Sequence, residues 1–218
     1  MPQAQPATRS RLPRAEREQQ TLAVARAHFA ERGFAGATMD EIAATVGVTK
    51  PLLYSYFGNK ERLYLACMEP AGEALLATVL EAVAAADDPP DALRRGLRAF
   101  FEFVDADREA WRVLFDETLP ASGEVASRVS EYRDRLTRAV AESLVARLPR
   151  GRANRAATEV EALSTALLGA SEALARWWLR TNAIPADAAA ELLIDTVVPG
   201  LRARGGAPAS TDTAGGSS

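Results

Sequence analysis

The polar side chains with the clearest chemical use lie close together in the first third of the chain. Thr49 and Lys50 come at the start of a short predicted helix, and Tyr54 and Tyr56 follow within two turns. Ammonium and hydroxyl groups of this kind donate hydrogen bonds to phosphate oxygens and to the edges of bases. Several such donors on one short helix are typical of a surface that contacts nucleic acid.

Two short helices joined by a tight turn are predicted to position these donors. Thr38, with Glu41 three residues later, forms a capping box, so a helix should begin at the residue after Thr38. Gly47 can adopt the left-handed backbone that ends a helix, and Thr49 can cap the next one. Pro51 is compatible with a first helical turn. The segment therefore predicts a helix-turn-helix.

The second helix of this motif is predicted to have a buried and an exposed side. Leu52 and Leu53 supply the buried side, which leaves Lys50, Tyr54 and Tyr56 pointing outward. Both tyrosine hydroxyls are expected to donate to phosphate. Tyr54 is the tyrosine that we expect to be half-buried, because it lies close to the packing side of the helix.

Positively charged and polar residues outside this helix add possible backbone contacts. Lys60 is predicted to open the next helix, because Gly58 stops the second one and Asn59 caps the next. A helix N-terminus already suits an anion such as phosphate. Thr38 caps its helix and could also meet the DNA backbone. Arg9 and Arg11 could enter a minor groove as an arm, although a solvated tail is the favoured interpretation for both.

This part of the chain resembles the TetR family of bacterial transcriptional regulators. The resemblance covers roughly a quarter of the chain and is specific, because many positions are fixed at fixed spacing. The residues that carry it are Leu22, Ala25, Phe29, Gly33, Phe34, Thr38, Ile42, Ala43, Gly47, Val48, Thr49, the run 53–57 and the run 60–63. Pro51 and Leu52 stand where many members have a small or flexible pair, so the preference for particular bases does not carry over.

The resemblance implies a homodimer that places two copies of residues 38–57 in successive major grooves of a palindromic operator. It also implies a cytoplasmic, bacterial repressor that a small apolar or amphipathic effector releases from double-stranded DNA. The implied DNA contacts are Thr38, Thr49, Lys50, Pro51, Leu52, Tyr54, Ser55, Tyr56 and Lys60. A plain surface lysine and a plain helix cap remain the alternatives for Lys50 and Thr49.

Composition excludes or disfavours several classes of protein and several kinds of functional site. The chain of 218 residues has one cysteine, Cys67, and one histidine, His28, which excludes an internal disulfide and disfavours a zinc site or a His-based catalytic triad. There is no glycine-rich phosphate loop, no signal-peptide pattern and no run of about 18 apolar residues. We therefore expect no enzyme, no cofactor, no metal and no membrane association, and an enzyme with an Asp/Glu-only site or a cofactor is the weaker alternative. Cys67 is expected to be a small buried side chain, and His28 a packed or surface residue.

The charge distribution supports a DNA-binding N-terminal part. The formal net charge is -3, which by itself argues against nucleic acid. Residues 1–63 nevertheless contain nine Lys and Arg against six acidic residues, a net charge of +3, and the remainder therefore has a net charge of -6. Only the contacting face must be positive, so this division is compatible with phosphate binding, although ordinary charge scatter would also produce it.

The rest of the chain predicts an all-α fold of about nine helices, in which a three-helix bundle with the helix-turn-helix precedes a larger helical ligand-binding and dimerisation domain. The predicted parts are a disordered arm (1–13), a DNA-binding domain (14–60), an effector-binding and dimerisation domain (61–204) and a disordered tail (205–218). Predicted helices include 60–83, interrupted near Pro70, then 107–119, 122–148 and 153–181. Pro185 opens a last helix, which Pro199 kinks or ends.

The predicted helix 153–181 carries two adjacent stripes, one of large apolar and one of small residues, with Glu161, Thr165, Glu172 and Arg176 opposite. So wide an apolar arc needs two partners. We assign the small stripe to a dimer contact with the last helix, and packing of both stripes inside one monomer is the alternative. The large stripe is Val160, Leu163, Leu167, Leu174 and Trp178. The candidate dimer residues are Ala162, Ala166, Gly169, Ala170, Ala173, Leu192, Leu193, Val197 and Leu201.

The effector pocket is the least specified part of the sequence. The resemblance implies a pocket between the helices of the larger domain, and Tyr132 and Trp177 are the favoured candidates because each has a polar atom near the edge of an apolar stripe. The candidate residues are Phe100, Phe101, Trp111, Phe115, Tyr132, Leu174, Trp177 and Trp178. Most aromatic residues at helical spacing are simply core. A ligand-independent DNA-binding, architectural or interaction protein therefore remains the alternative function.

Overall fold

The computed structural model describes residues 13–148 and 150–206, and every regular element within those residues is a helix. The predicted all-α fold is therefore confirmed. The arm residues Arg9 and Arg11, and the tail from position 207 on, lie outside the described residues. The helices are α1 (Arg14–Gly36), α2 (Met39–Val46), α3 (Lys50–Phe57), α4 (Lys60–Ala84), α5 (Pro89–Ala106), α6 (Arg108–Leu114), α7 (Glu124–Val145), α8 (Arg150–Thr181) and α9 (Ala186–Gly206).

The described residues form two compact units. The first, here called the reader unit, consists of residues 13–74 and 107–132. The second, here called the body unit, consists of residues 75–106, 133–148 and 150–206. The reader unit thus combines the helix-turn-helix with α6 and the start of α7, which come about 50 residues later in the sequence. Local periodicity gives no signal for such a long-range association.

An aromatic cluster forms the core of the reader unit. Tyr64 on α4 is fully buried, and its ring meets the rings of Phe29 and Phe34 edge to face, at centroid distances of 5.0 and 5.3 Å. Aromatic pairs of this geometry contribute roughly 0.5–1.5 kcal/mol beyond their buried area. The Tyr64 hydroxyl donates to the Val113 carbonyl of α6, and burial raises the pKa of that hydroxyl. The cluster therefore connects α1, α4 and α6.

The kink near the end of α1 is held by the loop that follows α6. Gly33 has a φ of +70°, a conformation in which a side chain would be strained, and a Cβ there would lie 2.5 Å from the Thr118 hydroxyl. The backbone N–H of Phe34 donates to the Asp116 carboxylate, and the N–H of Ala35 donates to the Thr118 hydroxyl at 3.1 Å. These bonds pair amide groups that the kink would otherwise leave without partners.

The core of the body unit lies between α5, α8 and α9. The helix α5 packs against α9, and an exposed ion pair joins them between Arg98 and Glu191 at 2.7 Å. Phe101 on α5 meets Trp178 on α8 edge to face, with ring centroids 6.3 Å apart. The indole N–H of Trp178 donates to the Ile184 carbonyl at 2.7 Å, which satisfies the one polar atom of this buried side chain.

Two helices continue through a proline, contrary to part of the sequence-based expectation. The helix α4 runs unbroken through Pro70, where an interruption was predicted, and α9 passes Pro199 and reaches Gly206 instead of ending there. An interior proline costs about 3 kcal/mol in helix stability. Both prolines are exposed, and the buried residues on either side, such as Leu63 and Leu75 in α4, offset that cost.

Two other helix ends also differ from the predicted ones. The helix α6 ends at Leu114, before the predicted position 119, and α8 begins at Arg150 rather than near 153. The carboxylate of Asp107 caps α6 by accepting from the Ala110 N–H at 2.9 Å. After Phe115 the chain follows the loop that bonds to the end of α1, so tertiary contacts end this helix earlier than its apolar pattern indicates.

The helix α4 also has the length and composition that could cross a membrane. No such segment was expected from the sequence, yet the helix Lys60–Ala84 is long and apolar enough to cross a membrane. However, 56% of the apolar 18-residue stretch of this helix is buried inside the protein. Burial of this kind is what a core helix requires, so composition alone is weak support for a membrane span.

Candidate DNA-binding site

The start of α2 has the predicted capping box. The Thr38 hydroxyl accepts from the Glu41 N–H at 3.3 Å and donates to the Glu41 carboxylate at 2.8 Å. The hydrogen bond from the Thr38 hydroxyl to the Glu41 carboxylate, together with the neighbouring Arg32 guanidinium, holds the pKa of Glu41 below its usual range. Ile42 and Ala43 are buried and anchor one side of the helix. Because Thr38 is exposed although its hydroxyl is engaged, any contact with DNA must share that hydroxyl with the cap.

The turn between the two helices depends on Gly47. This residue has φ 77° and ψ 32°, the left-handed conformation that was predicted for it. The N–H groups of Gly47 and Val48 both donate to the Ala43 carbonyl at 3.0 Å, which satisfies one end of α2. Thr49 then occupies the N-cap position of α3, as predicted, with an extended backbone, although its hydroxyl makes no capping hydrogen bond.

The helix α3 is anchored on one side and open on the other. Leu53 and Phe57 are buried, and Leu52 is half-buried rather than fully part of the core. The candidate contact residues are largely exposed. Those that are exposed are Thr38, Thr49, Lys50, Pro51, Tyr54 and Ser55, whereas Leu52, Tyr56 and Lys60 are half-buried. The Ser55 hydroxyl donates to the Leu52 carbonyl of its own helix at 2.7 Å.

The two tyrosines exchange the roles expected of them. Tyr54 is 40% exposed, whereas Tyr56 is half-buried, so the prediction that Tyr54 would be the half-buried one was wrong. The ring of Tyr56 packs edge to face with Phe57 and lies under the guanidinium of Arg14, whose Cζ is 5.3 Å from the ring centroid. Arg14 comes from the start of α1, so this cover is not visible in the pattern of α3. Sequence reasoning missed Arg14 as a cation beside α3.

The two lysines of the site have different partners in the free protein. Lys50 Nζ lies 2.7 Å from the Asp40 carboxylate of α2, and this hydrogen-bonded pair raises the pKa of Lys50. Lys60 Nζ lies 4.5 Å from the centroid of the Phe34 ring, a cation–π contact. Asp40 was also missed, because ten residues separate it from Lys50 and no helical spacing links them. Any contact of Lys50 with DNA must therefore compete with Asp40.

At the end of α3 the chain reverses into α4 through Gly58 and Asn59. Gly58 has a φ of +81°, which favours glycine, and the Asn59 side chain accepts from the Arg62 N–H at 2.8 Å. The predicted stop at Gly58 and the predicted cap at Asn59 are both confirmed. Lys60 is consequently the first residue of α4, shortly after the end of α3 in the sequence.

The predicted effector residues do not all meet at one cavity. The body unit contains a cavity of about 520 Å³, part of it open to solvent, between α4, α5, α7 and α8. Phe100 lies on its wall; Trp111, Phe115 and Tyr132 belong to the reader unit. The remaining candidates do not line this cavity. Of them, Phe101 and Trp178 are buried, Leu174 is half-buried and Trp177 is 38% exposed.

Most of the predicted dimer residues are exposed to solvent. The five small residues of α8 are all exposed, and nothing lies within 4 Å of a Cβ built on Gly169. Leu163, Trp177 and Leu192 are large apolar side chains that are also exposed, by 39%, 38% and 54%. Leu193 and Val197 are half-buried, and the Leu201 side chain lies outside the described part of the structure.

One prediction for α8 was wrong. Glu172, expected on the polar side, is buried, and its carboxylate accepts from the Arg133 guanidinium of α7 at 2.7 Å. Burial raises the pKa of Glu172, while the charges of Arg133 and Arg176 lower it. Pairing with a cation explains how an acidic residue can be buried here.

Comparisons with known proteins identify the family. Residues 22–67 match the family model described as bacterial regulatory proteins, tetR family. Residues 89–200, about half of the chain, match the model of the Tetracyclin repressor-like, C-terminal domain. The chain belongs to the TetR family. This TetR-family protein is accordingly a helix-turn-helix transcriptional regulator, and its family is one of DNA-binding regulators rather than enzymes.

Individual relatives agree with this assignment. The HTH-type transcriptional activator FasR of Mycolicibacterium smegmatis is 34% identical over 88% of this chain and 86% of its own length. The HTH-type transcriptional regulator BetI of Rhizobium meliloti is 30% identical over 80% of this chain and 84% of its own. The crystal structure of a TetR-like transcriptional regulator from Rhodococcus sp. RHA1 has a TM-score of 0.71, at 35% identity, and covers 88% of this chain and 99% of that one.

Proposed function

We propose that this TetR-family protein is a cytoplasmic homodimer that binds a palindromic operator through α3 and is released by a small apolar or amphipathic effector. The observation that carries the proposal is the open side of α3, where Thr49, Lys50 and Tyr54 present a hydroxyl, an ammonium and a phenol to solvent. Donors of this kind at the start of a recognition helix reach base edges and phosphates in a major groove.

The contacts have different roles in this proposal. Thr49 and Lys50, at the N-terminal end of α3, read base edges, while Tyr54 and Lys60 bind phosphates. Tyr56, half-buried under Arg14, contributes its hydroxyl at the edge of the contact. Base contacts determine which sequence is bound, whereas phosphate contacts supply affinity that depends on salt and not on sequence.

Dimerisation is supported by the open surface of α8 and α9. Small exposed residues such as Ala166 and Ala170 allow a second helix to approach closely, and exposed Leu163, Trp177 and Leu192 provide apolar area to bury. Exposed apolar surface of this kind on one face is typical of a protein–protein contact. A homodimer presents two copies of α3, as a palindrome one helical turn apart requires.

Effector binding is supported by the cavity of the body unit. Its wall is aliphatic apart from Phe100, Gly96 and three hydroxyl side chains, and a mainly apolar lining with a few polar groups is typical of small-molecule sites. An effector that binds one conformation of the dimer better than another shifts the population toward it. A coupling of about 1–3 kcal/mol is typical of such regulation and suffices to change operator occupancy.

The sign of regulation depends on where the operator lies and not on the contact residues. Among the relatives, FasR is named an activator, and the protein SCO4008 of Streptomyces coelicolor, 29% identical over 53% of this chain, is named a repressor. We propose repression, because a dimer that occupies a promoter blocks polymerase directly. A ligand-independent DNA-binding or architectural role remains the second candidate, and it predicts that no effector changes operator binding.

Footprinting on the DNA upstream of the protein's own gene tests the proposal. The purified protein is titrated across a salt series in the presence of random competitor DNA. A protected palindrome with affinity that falls steeply with salt is the expected result. Absence of protection even at low salt would contradict operator binding at this locus. Screening for compounds that abolish the footprint then separates the effector-released regulator from the ligand-independent one.

A further inference from the structure

The cavity of the body unit contains a polar atom that its surroundings leave without a partner. Ser164 on α8 is 5% exposed and lies on the cavity wall, and its Oγ makes no hydrogen bond with any described residue. Buried hydroxyls are nearly always paired, because removing them from water without compensation is unfavourable.

A second serine on the same wall shows how a buried helical hydroxyl is usually paired. Ser171, two helical turns later on α8, is 3% exposed, and its hydroxyl donates to the Leu167 carbonyl of the preceding turn at 2.8 Å. Such a bond to the residue four places back is the ordinary way for a helical serine to satisfy its hydroxyl. Ser164 does not use it, although it lies on the same helix.

The rest of the wall restricts what could pair with Ser164. None of the lining residues is ionisable, and the wall is built mainly of valine and leucine side chains from α4, α5, α7 and α8. A charged group inside this cavity would lose its hydration without gaining a counter-ion. An aliphatic group with a neutral hydrogen-bonding atom would bury its chain and pair with the serine.

We propose that Ser164 Oγ is the polar anchor of the effector site, and that the effector buries an aliphatic chain carrying one uncharged hydrogen-bonding group, such as a hydroxyl or a carbonyl. This inference rests on the proposed function, in which the cavity of the body unit holds the effector. Ser164 then discriminates among ligands by the polar group, and the aliphatic wall supplies affinity for the chain.

The inference is tested with two probes of the same chain length, 1-octanol and 1-chlorooctane, which differ in whether the terminal group can donate a hydrogen bond. Isothermal titration calorimetry on the full-length protein measures both dissociation constants. Ser164→Ala should weaken 1-octanol binding about tenfold, the effect of one hydrogen bond of about 1.4 kcal/mol, and leave 1-chlorooctane binding within about twofold. Ser171→Ala is the matched control and should change neither, because its hydroxyl is already paired within α8.

Folding of the variants is checked by thermal unfolding without ligand. Because Ser164→Ala removes an unpaired buried hydroxyl, its melting temperature should equal or exceed that of the unchanged protein. The inference is overturned if 1-octanol does not bind, if Ser164→Ala weakens both probes equally, or if Ser171→Ala produces the same selective loss. Operator affinity is measured separately, without either probe. If the protein does not bind operator, the proposed function is overturned, while the calorimetry still tests the role of Ser164.

Discussion

Replacement of Lys60 by methionine tests whether this residue binds a DNA phosphate. Methionine keeps an unbranched apolar stem over Phe34 and removes only the charge. Two effects on stability oppose each other, since the cation–π contact is worth about 0.5–1 kcal/mol and a cation at a helix N-terminus costs about 0.3–1 kcal/mol. Lys60→Met should therefore unfold at nearly the same temperature as the unchanged protein, and its effect on DNA can be interpreted directly.

The expected change in the salt dependence of DNA binding follows from counterion release. Each phosphate contact contributes about 0.9 to the slope of the logarithm of affinity against the logarithm of salt. A dimer has two copies of Lys60, so the loss of both contacts should flatten the slope by about 1.8. Between about 50 and 200 mM salt, a fourfold range, the affinity of Lys60→Met should fall roughly twelvefold less than that of the unchanged protein.

Fluorescence anisotropy with labelled operator and with labelled random DNA measures these slopes. The change should be the same on both DNAs, because a phosphate contact carries no sequence information. Arg95→Met is the matched control, since Arg95 is an exposed cation of the body unit that is paired with Asp91 at 2.7 Å. An unchanged slope for Lys60→Met, or an equal change for Arg95→Met, would refute the phosphate contact at Lys60.

The remaining predictions concern discrimination, packing and assembly. Lys50→Ala should reduce discrimination among operator variants more than affinity for random DNA in the same anisotropy assay, and equal weakening of every variant would contradict its base contact. Asp40→Asn should strengthen binding to the operator more than binding to random DNA, because it releases Lys50 from the 2.7 Å ion pair; unchanged or weaker operator binding would count against this competition. Gly72→Ala should lower the free energy of unfolding in urea by about 1–3 kcal/mol, since its Cβ would lie 2.7 Å from the Tyr132 ring, and an unchanged midpoint would exclude that clash. Ala166→Glu, on the exposed stripe of α8, should yield monomers in analytical ultracentrifugation and lose operator affinity, whereas a stable dimer would place the contact elsewhere.

Local chemistry made the helix-turn-helix predictable from the sequence. The cap at Thr38, the left-handed Gly47 and the cap at Asn59 each depend on residues no more than four positions apart, and the structure has all three. Such signals act through the backbone of their own segment, so they can be read without knowledge of the fold. The structure also confirms the expected all-helical fold for the residues that it describes.

Side-chain partners from distant segments were not predictable in the same way. Tyr56 is covered by Arg14 of α1, and Glu172 is paired with Arg133 of α7, so neither environment follows from the spacing within its own helix. Periodicity indicates that a helix has a buried side, but it does not identify the neighbour that buries it. The same limit applies to the effector site, where Ser164 was not among the aromatic residues that the sequence favoured.

The helix α8 connects the two proposed activities of the body unit. Ser164 and Ser171 are on the side that lines the cavity, whereas Ala162, Ala166 and Ala170 are exposed on another side of the same helix. A packed helix moves largely as a rigid rod, so a ligand that displaces one side displaces the other with it. Close contact between small residues tolerates such displacement poorly, because packed interfaces have few alternative arrangements. We therefore expect an effector in this cavity to act on operator binding by changing how the two copies of α8 pack, without any direct contact with α3.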